Sequence, residues 1–443
     1  AGDGAQIAID WEIPSNLISP HPSSLHTRIT KQERIQSVLY GPITSPVVLI
    51  LHGINNDASF GYIRSLMRAC TDRGWIAAGM NFRGMGGMKL HTPRGYNGAY
   101  TGDLRCIVHK ITSRMKNNTS NNSHHNESSL PPTPLFLVGN SLGANIMAKY
   151  LGEEGMSNTL PINVAGGITL GNPLHIHSGN LRFPWNILLG LGVKKTIIQH
   201  LHSFLPTLKK DLSFRKNMLK VIFTTNKIGD LDNLMSPGFI RNETYYPYAT
   251  RIGYKDGGEE YWNDASSYHH VPHITVPFLK ITAQDDFLVY HSSLSRLSRS
   301  LENPNVMVVK TKCGGHLGWQ ESPPPCRSNK KQTKKEGGGR EEKDEDDGSF
   351  VASWSDAATT DFIDAVIRVR EMQWKDELMK KKANMEKDEE AKKETKTELI
   401  PSALNDDTHA EVLDDNKDSL HKRFKKAVVE AATVDASKIH SRL

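Results

Sequence analysis

The apolar run Leu135-Phe136-Leu137-Val138 passes without a linker into Gly139-Asn140-Ser141-Leu142-Gly143, and then into a helix-forming stretch through Leu151. A short β-rich run followed at once by helical residues demands a sharp strand-to-helix turn. The backbone of such a turn tolerates little bulk beside it, which accounts for glycine on both sides of Ser141. Few architectures contain this turn, and those that do build it into an alternation of strands and helices.

That alternation is present. Val47-Val48-Leu49-Ile50-Leu51, bounded by Pro46 and His52-Gly53, has the continuous apolar character of a strand buried on both faces of a parallel sheet. Helical spacing of Leu66, Met67 and Cys70 predicts a helix over 61–74, and Trp75–Met80 reads as the next strand, ending in Asn81-Phe82-Arg83-Gly84. A helix is expected around Tyr100–Met115, with further strands at Ala165–Leu170, Phe278–Ile281 and Val306–Lys310. Strands alternating with helices of this length give βαβ units, hence a mostly parallel central sheet flanked by helices.

Several segments depart from the pattern. The Asn/Ser/His-rich stretch 116–133 and the charged stretch 321–349 read as low-complexity loops. Residues from about 172 to 273, between two core strands, have the place and size of an inserted cap. The apolar stretch Phe183–Leu191 inside it suits an acyl pocket, a membrane-facing surface or a buried helix equally. An amphipathic helix with Trp354, Ala357, Phe362, Ala365, Val366 and Val369 near one stripe is expected to close the main domain, 1–372. Residues 373–443 form a charged tail, either helical or disordered.

Composition excludes more than it selects. A formal charge of +6 over 443 residues gives no clustered basic footprint, so no nucleic-acid partner is expected. Cys70, Cys106, Cys313 and Cys326 are widely spaced, which suits neither a disulfide framework nor a zinc site and points to a reducing intracellular compartment. No run of eighteen apolar residues exists to form a membrane-spanning helix. The start lacks methionine and enters a strand-like pattern almost at once, so it reads as a fragment or processed chain whose missing N-terminal segment could carry a membrane anchor.

A serine hydroxyl attacks only when a base stands beside it and an anion site ahead of it. The Leu142 N–H, at a helix start, faces where an oxyanion would develop, and Ile54, just after His52-Gly53, is the candidate second donor. The acid and base are expected in the chain order Ser, Asp, His. The strand Phe278–Ala283 runs into Gln284-Asp285-Asp286, where Asp286 is favoured over Asp285 by its spacing from Ala283. After the last strand, Cys313-Gly314-Gly315-His316-Leu317-Gly318 supplies a glycine-rich loop for an imidazole. A dehalogenase or epoxide hydrolase would carry aspartate at position 141 instead. No zinc, phosphate-loop or dinucleotide motif is present, so no metal or other cofactor is expected.

These residues together resemble the α/β-hydrolase-domain family that includes medium-chain phospholipases, plant embryogenesis-associated hydrolases and yeast medium-chain ethyl-ester synthase/esterases. The resemblance covers most of 1–320 and also takes in Asp3-Gly4, Asp10-Trp11, Leu51-His52-Gly53, Asn81-Phe82-Arg83-Gly84, Tyr261-Trp262 and Ala265-Ser266-Ser267. It implies an α/β-hydrolase fold and a Ser141–Asp286–His316 triad cleaving short- to medium-chain acyl esters, such as monoacylglycerol or phospholipid, with a lipid-like ester and peripherally a membrane as partners. Acyl transfer to an alcohol would use the same residues, and a catalytically idle binding protein is the alternative from another class. Phe287 stands where the family usually has proline.

Overall fold

The computed structural model describes residues 3–18, 30–115, 131–177, 181–242, 250–255, 257–289, 302–319 and 353–397. Its centre is a seven-stranded sheet: β1 (Ala8–Glu12), β2 (Val47–Leu51), β3 (Ile76–Asn81), β4 (Leu135–Asn140), β5 (Val164–Leu170), β8 (Phe278–Ala283) and β9 (Val306–Thr311). The order is β1-β3-β2-β4-β5-β8-β9, and every pairing is parallel except the antiparallel β1–β3 edge. The five inner strands are buried along their whole length, as their unbroken apolar runs require, while β1 and β9 are only half-buried at the edges.

Side-chain alternation divides the core into two layers. Leu49, Leu51, Leu135 and Leu137 face α4 (Gly102–Thr112) and α5 (Leu142–Ser157), meeting Leu104, Val108, Ile146 and Tyr150. Val48, Ile50, Phe136 and Val138 face α3 (Gly61–Asp72), where Ile63, Leu66 and Met67 cover them. The same layer receives Phe362, Ile363 and Val366 from the last helix, labelled α11 here (Trp354–Thr397). Ala357, expected on that helix's apolar stripe, is exposed; Asp356 is buried beside it and accepts from the Ser65 hydroxyl. Arg73 of the α3 C-terminus pairs with Asp361 at 2.8 Å and with Asp364. The helix continues unbroken past Trp374, so residues 373–397 are helical. Stretches 116–130 and 321–349 and the tail beyond 397 lie outside the described residues.

Between β5 and β8 the chain leaves the sheet. Helices α6 (Trp185–Gln199), α7 (Leu201–Lys210), α8 (Leu212–Phe223) and α9 (Ile228–Met235) form a layer with its own small core of Phe204, Phe214, Met218, Val221, Leu231 and Met235. A short hairpin of β6 (Ile240–Asn242) and β7 (Thr250–Ile252) leads to α10 (Gly258–Ala265), which packs back on α5. Lys149 of α5 reaches Asp264 at 2.8 Å there, beside the buried pairing of Arg105 with Glu153 at 2.9 Å. Among the described residues no helix is long and apolar enough to cross a membrane.

Candidate active site

Ser141 occupies the turn between β4 and α5 with φ 52° and ψ −115°, a conformation an L residue adopts only under constraint. The constraint is steric. A Cβ on Gly139 would lie 2.5 Å from the Ala144 Cα, and one on Gly143 would lie 2.5 Å from the His52 carbonyl oxygen. Glycine at both places lets β2, β4 and α5 close on one another and lifts the serine above the sheet.

The Ser141 hydroxyl lies 2.8 Å from His316 Nε2, and His316 Nδ1 lies 2.9 Å and 3.1 Å from the two Asp286 oxygens. A carboxylate can only accept, so Nδ1 carries the imidazole hydrogen and Nε2 is left to accept from the serine. Asp286 is itself fixed by the Leu288 and Val289 N–H groups, each donating to Oδ1 at 2.9 Å. The three side chains come from the ends of β4, β8 and β9, which the parallel sheet brings to one edge. Asp285 points elsewhere: its Oδ1 accepts from the Gly315 N–H at 2.8 Å and ties down the loop that carries His316.

The backbone after β2 passes close to the serine, since a Cβ on Gly53 would stand 3.3 Å from the Ser141 Cβ. Gly53 is held by its N–H donating to the Tyr62 hydroxyl at 2.9 Å. Ile54 and Leu142, the two expected anion donors, both line the cavity in front of Ser141, and neither N–H has an acceptor among the described residues. His52 takes no part in this. It is buried, its Nδ1–H donates to the Gly53 carbonyl at 2.7 Å, Nε2 accepts from the Phe82 N–H, and burial pulls it down to about 4, so it stays neutral.

Two further groups stand near the acid, of which only Phe287 stood out in the sequence. Lys280 on β8 is fully buried, donates to the Asn172 carbonyl at 2.7 Å, and is pulled down to about 7 by burial against the opposing pull of Asp286. Phe287, in the place of the family's usual proline, is half-exposed. Its ring lies 4.5 Å from Trp185 at the start of α6 and 6.4 Å from His316, so it bridges that helix and the imidazole.

The cavity before Ser141 measures about 340 Å³. Its walls are mostly aliphatic and aromatic, from Leu142 and Leu317 on the core side to Leu189, Val193, Ile197 and Phe239 on the other. The stretch Phe183–Leu191 is therefore not a buried core helix: Leu189 lines the cavity while Phe183 and Leu188 face outward. Arg83, ahead of the cavity, is locked between Asp3 at 2.8 Å and Asp103 at 2.6 Å, which positions the Asn81–Gly84 loop rather than leaving a charge free for substrate.

A family model described as alpha/beta hydrolase fold matches residues 46–323. The chain is 28% identical over 284 residues to a monoacylglycerol lipase of Saccharomyces cerevisiae, covering 62% of this chain and 55% of that protein. It is 26% identical over 324 residues to phospholipase ABHD3 of Mus musculus, covering 72% and 64%, respectively. A third similarity, 25% over 294 residues, is to the embryogenesis-associated protein EMB8 of Picea glauca, covering 63% of this chain and 54% of that one. In each case the chain spans less than two thirds of the relative's own length.

Proposed function

The chain belongs to the α/β-hydrolase fold family, and from that premise we propose that it is a serine carboxylic-ester hydrolase with Ser141 as nucleophile, His316 as base and Asp286 as the acid that orients it. The observation that carries the reading is the continuous hydrogen-bonded series from Ser141 through His316 to Asp286 at the mouth of an apolar cavity. His316 takes the proton as the Ser141 oxygen attacks the ester carbonyl. The Ile54 and Leu142 N–H groups receive the oxyanion, a contribution of about 3 kcal/mol per donor. Asp286 holds the Nδ1–H tautomer and stabilises the imidazolium. The leaving alcohol departs with the proton from His316, and water, activated by the same imidazole, releases the acid.

The lining of the cavity supports an apolar acyl group, and the names of the similar proteins support acylglycerol or phospholipid esters as the class to try first. Exposed Leu188, Leu191 and Ile198 on α6, beside Lys194 and Lys195, support a peripheral contact with lipid. The test is hydrolysis of p-nitrophenyl and glyceryl esters of graded acyl length by the wild type and Ser141→Ala. Turnover that falls by roughly 10⁴-fold or more in the variant is expected. A folded wild type that turns over no ester in the panel refutes the reading, and free acid against new ester in added alcohol separates hydrolysis from transfer.

A further inference from the structure

Among the described residues, one acidic side chain lines the cavity without a cation beside it. Asp232 of α9 lines the wall, and its one side-chain hydrogen bond among the described residues is from the Trp262 indole N–H to Oδ2 at 3.0 Å. Among the described residues Oδ1 has no partner, and no lysine, arginine or histidine pairs with this carboxyl. An ionisable group in an apolar wall costs stability unless something compensates it. Burial pushes its pKa up to about 7, so near neutrality it both donates and accepts.

Two phenols complete the setting. The Tyr96 oxygen accepts from the Asn55 N–H at 3.2 Å, and the Tyr261 oxygen accepts from the Gly98 N–H at 3.0 Å. Both line the cavity, and neither O–H has an acceptor among the described residues. Burial raises both pKa values, Tyr96 to about 12, so both keep their hydrogens. Their anchors sit beside the reacting centre. Asn55 follows Ile54, and a Cβ on Gly98 would lie 3.1 Å from the Leu142 side chain and 3.3 Å from the Tyr261 oxygen. The two phenols thus sit close to the elbow, and Asp232, whose charge acts on both of them, stands in the same cavity wall, which is otherwise suited to hydrocarbon.

We propose that Asp232, Tyr96 and Tyr261 form a polar subsite that selects esters carrying a neutral hydroxyl near the scissile bond. A hydroxyl alone among common lipid groups accepts from a phenol and donates to a carboxylate oxygen with one atom. It can belong to the alcohol part of the ester or to the acyl part. Sites built to bond a hydroxyl discriminate strongly against analogues lacking it, because their own buried groups are then left unpaired.

The kinetic test rests on the ester-hydrolase reading and compares kcat/KM for 1-decanoylglycerol, methyl 2-hydroxydecanoate and methyl decanoate. At least one hydroxylated ester should exceed the plain ester by roughly tenfold or more, and which one does so identifies the source of the hydroxyl. Asp232→Leu should bring that ratio close to one, and Tyr96→Phe should lower it in a protein whose shape is unchanged. A wild-type ratio near one for both hydroxylated esters overturns the proposal, as does a ratio that neither variant alters. Binding of 1-O-decylglycerol against decyl methyl ether to Ser141→Ala, followed by tryptophan fluorescence, reads the subsite without turnover. Preference for the glycerol ether, lost on adding Asp232→Leu, supports the subsite even where the hydrolase reading fails; equal affinity contradicts it for an alcohol-side hydroxyl.

Discussion

The elbow around Ser141 and the helical layer α6–α9 above it are built on opposite terms. At the elbow nearly every residue is fixed by a neighbour: two glycines where a Cβ would come within 2.5 Å of backbone, the serine by a strained φ of 52°, the acid by two N–H donors. In the cap layer the helices share a small core but leave Leu188, Leu191, Leu212, Leu219 and Phe223 largely exposed. On the proposed reading, the tightly contacted region is the one where geometry decides a rate, and the region with more exposed apolar surface is the one that meets the acyl chain. Under the proposed function, chemistry belongs to the sheet edge and selection to the α6–α9 layer.

His316→Ala puts the largest strain on that assignment. It should lower kcat by about 10⁴-fold for every ester, with no change in chain-length preference, in a protein whose melting temperature shifts little. Parallel ester-panel kinetics and thermal melts check this, and a variant that merely altered preference would dissolve the distinction between the two regions. Leu189→Trp acts on the cap side. By filling the cavity it should cut kcat/KM for medium-chain esters relative to acetyl or butyryl esters by roughly 10- to 100-fold. Equal losses on all esters would mean that the cap wall takes part in the chemistry.

The smallest effect expected is on stability. The Asp232 carboxyl is raised from its ordinary value to about 7, mainly by burial, so it favours the protonated form in the folded state. Below the unfolded value both states are protonated and nothing is lost. As pH rises toward 7 the unfolded chain ionises first, and above 7 the full cost is present. Asp232→Asn keeps an acceptor for Trp262 and should therefore raise stability by about 1–2 kcal/mol at pH 8, the gain shrinking as the pH falls toward 4. Denaturant melts at the two pH values measure it, and a gain that is the same at both would show that this carboxyl carries no such cost.

The same contrast governs what could be read from the chain itself. β2, β4 and β5 were legible because strands buried on both faces need unbroken apolar runs, and the elbow because its turn admits only glycine at 139 and 143. Ser141, Asp286 and His316 were legible as strand-end residues in a fixed order, and the structure brings all three together. Asp285 escaped because its partner, Gly315, lies 30 residues away and nothing local marks the bond. Asp232 escaped for a stronger reason. It lies in a helix whose polar and apolar residues look like those of any surface helix, and only the folded chain turns that carboxyl into a cavity. On α11 the expected stripe holds at Phe362, Ala365, Val366 and Val369, which are buried, and departs at Ala357, which faces out while the neighbouring Asp356 is buried and accepts from Ser65.

Intact-mass analysis of the purified protein after exposure to a fluorophosphonate tests the central claim most directly. One adduct per chain on the wild type, none on Ser141→Ala and a greatly slowed adduct on His316→Ala is the result expected of a serine activated by that imidazole. A folded wild type that takes up no label, or a Ser141→Ala variant that labels equally well, would contradict it.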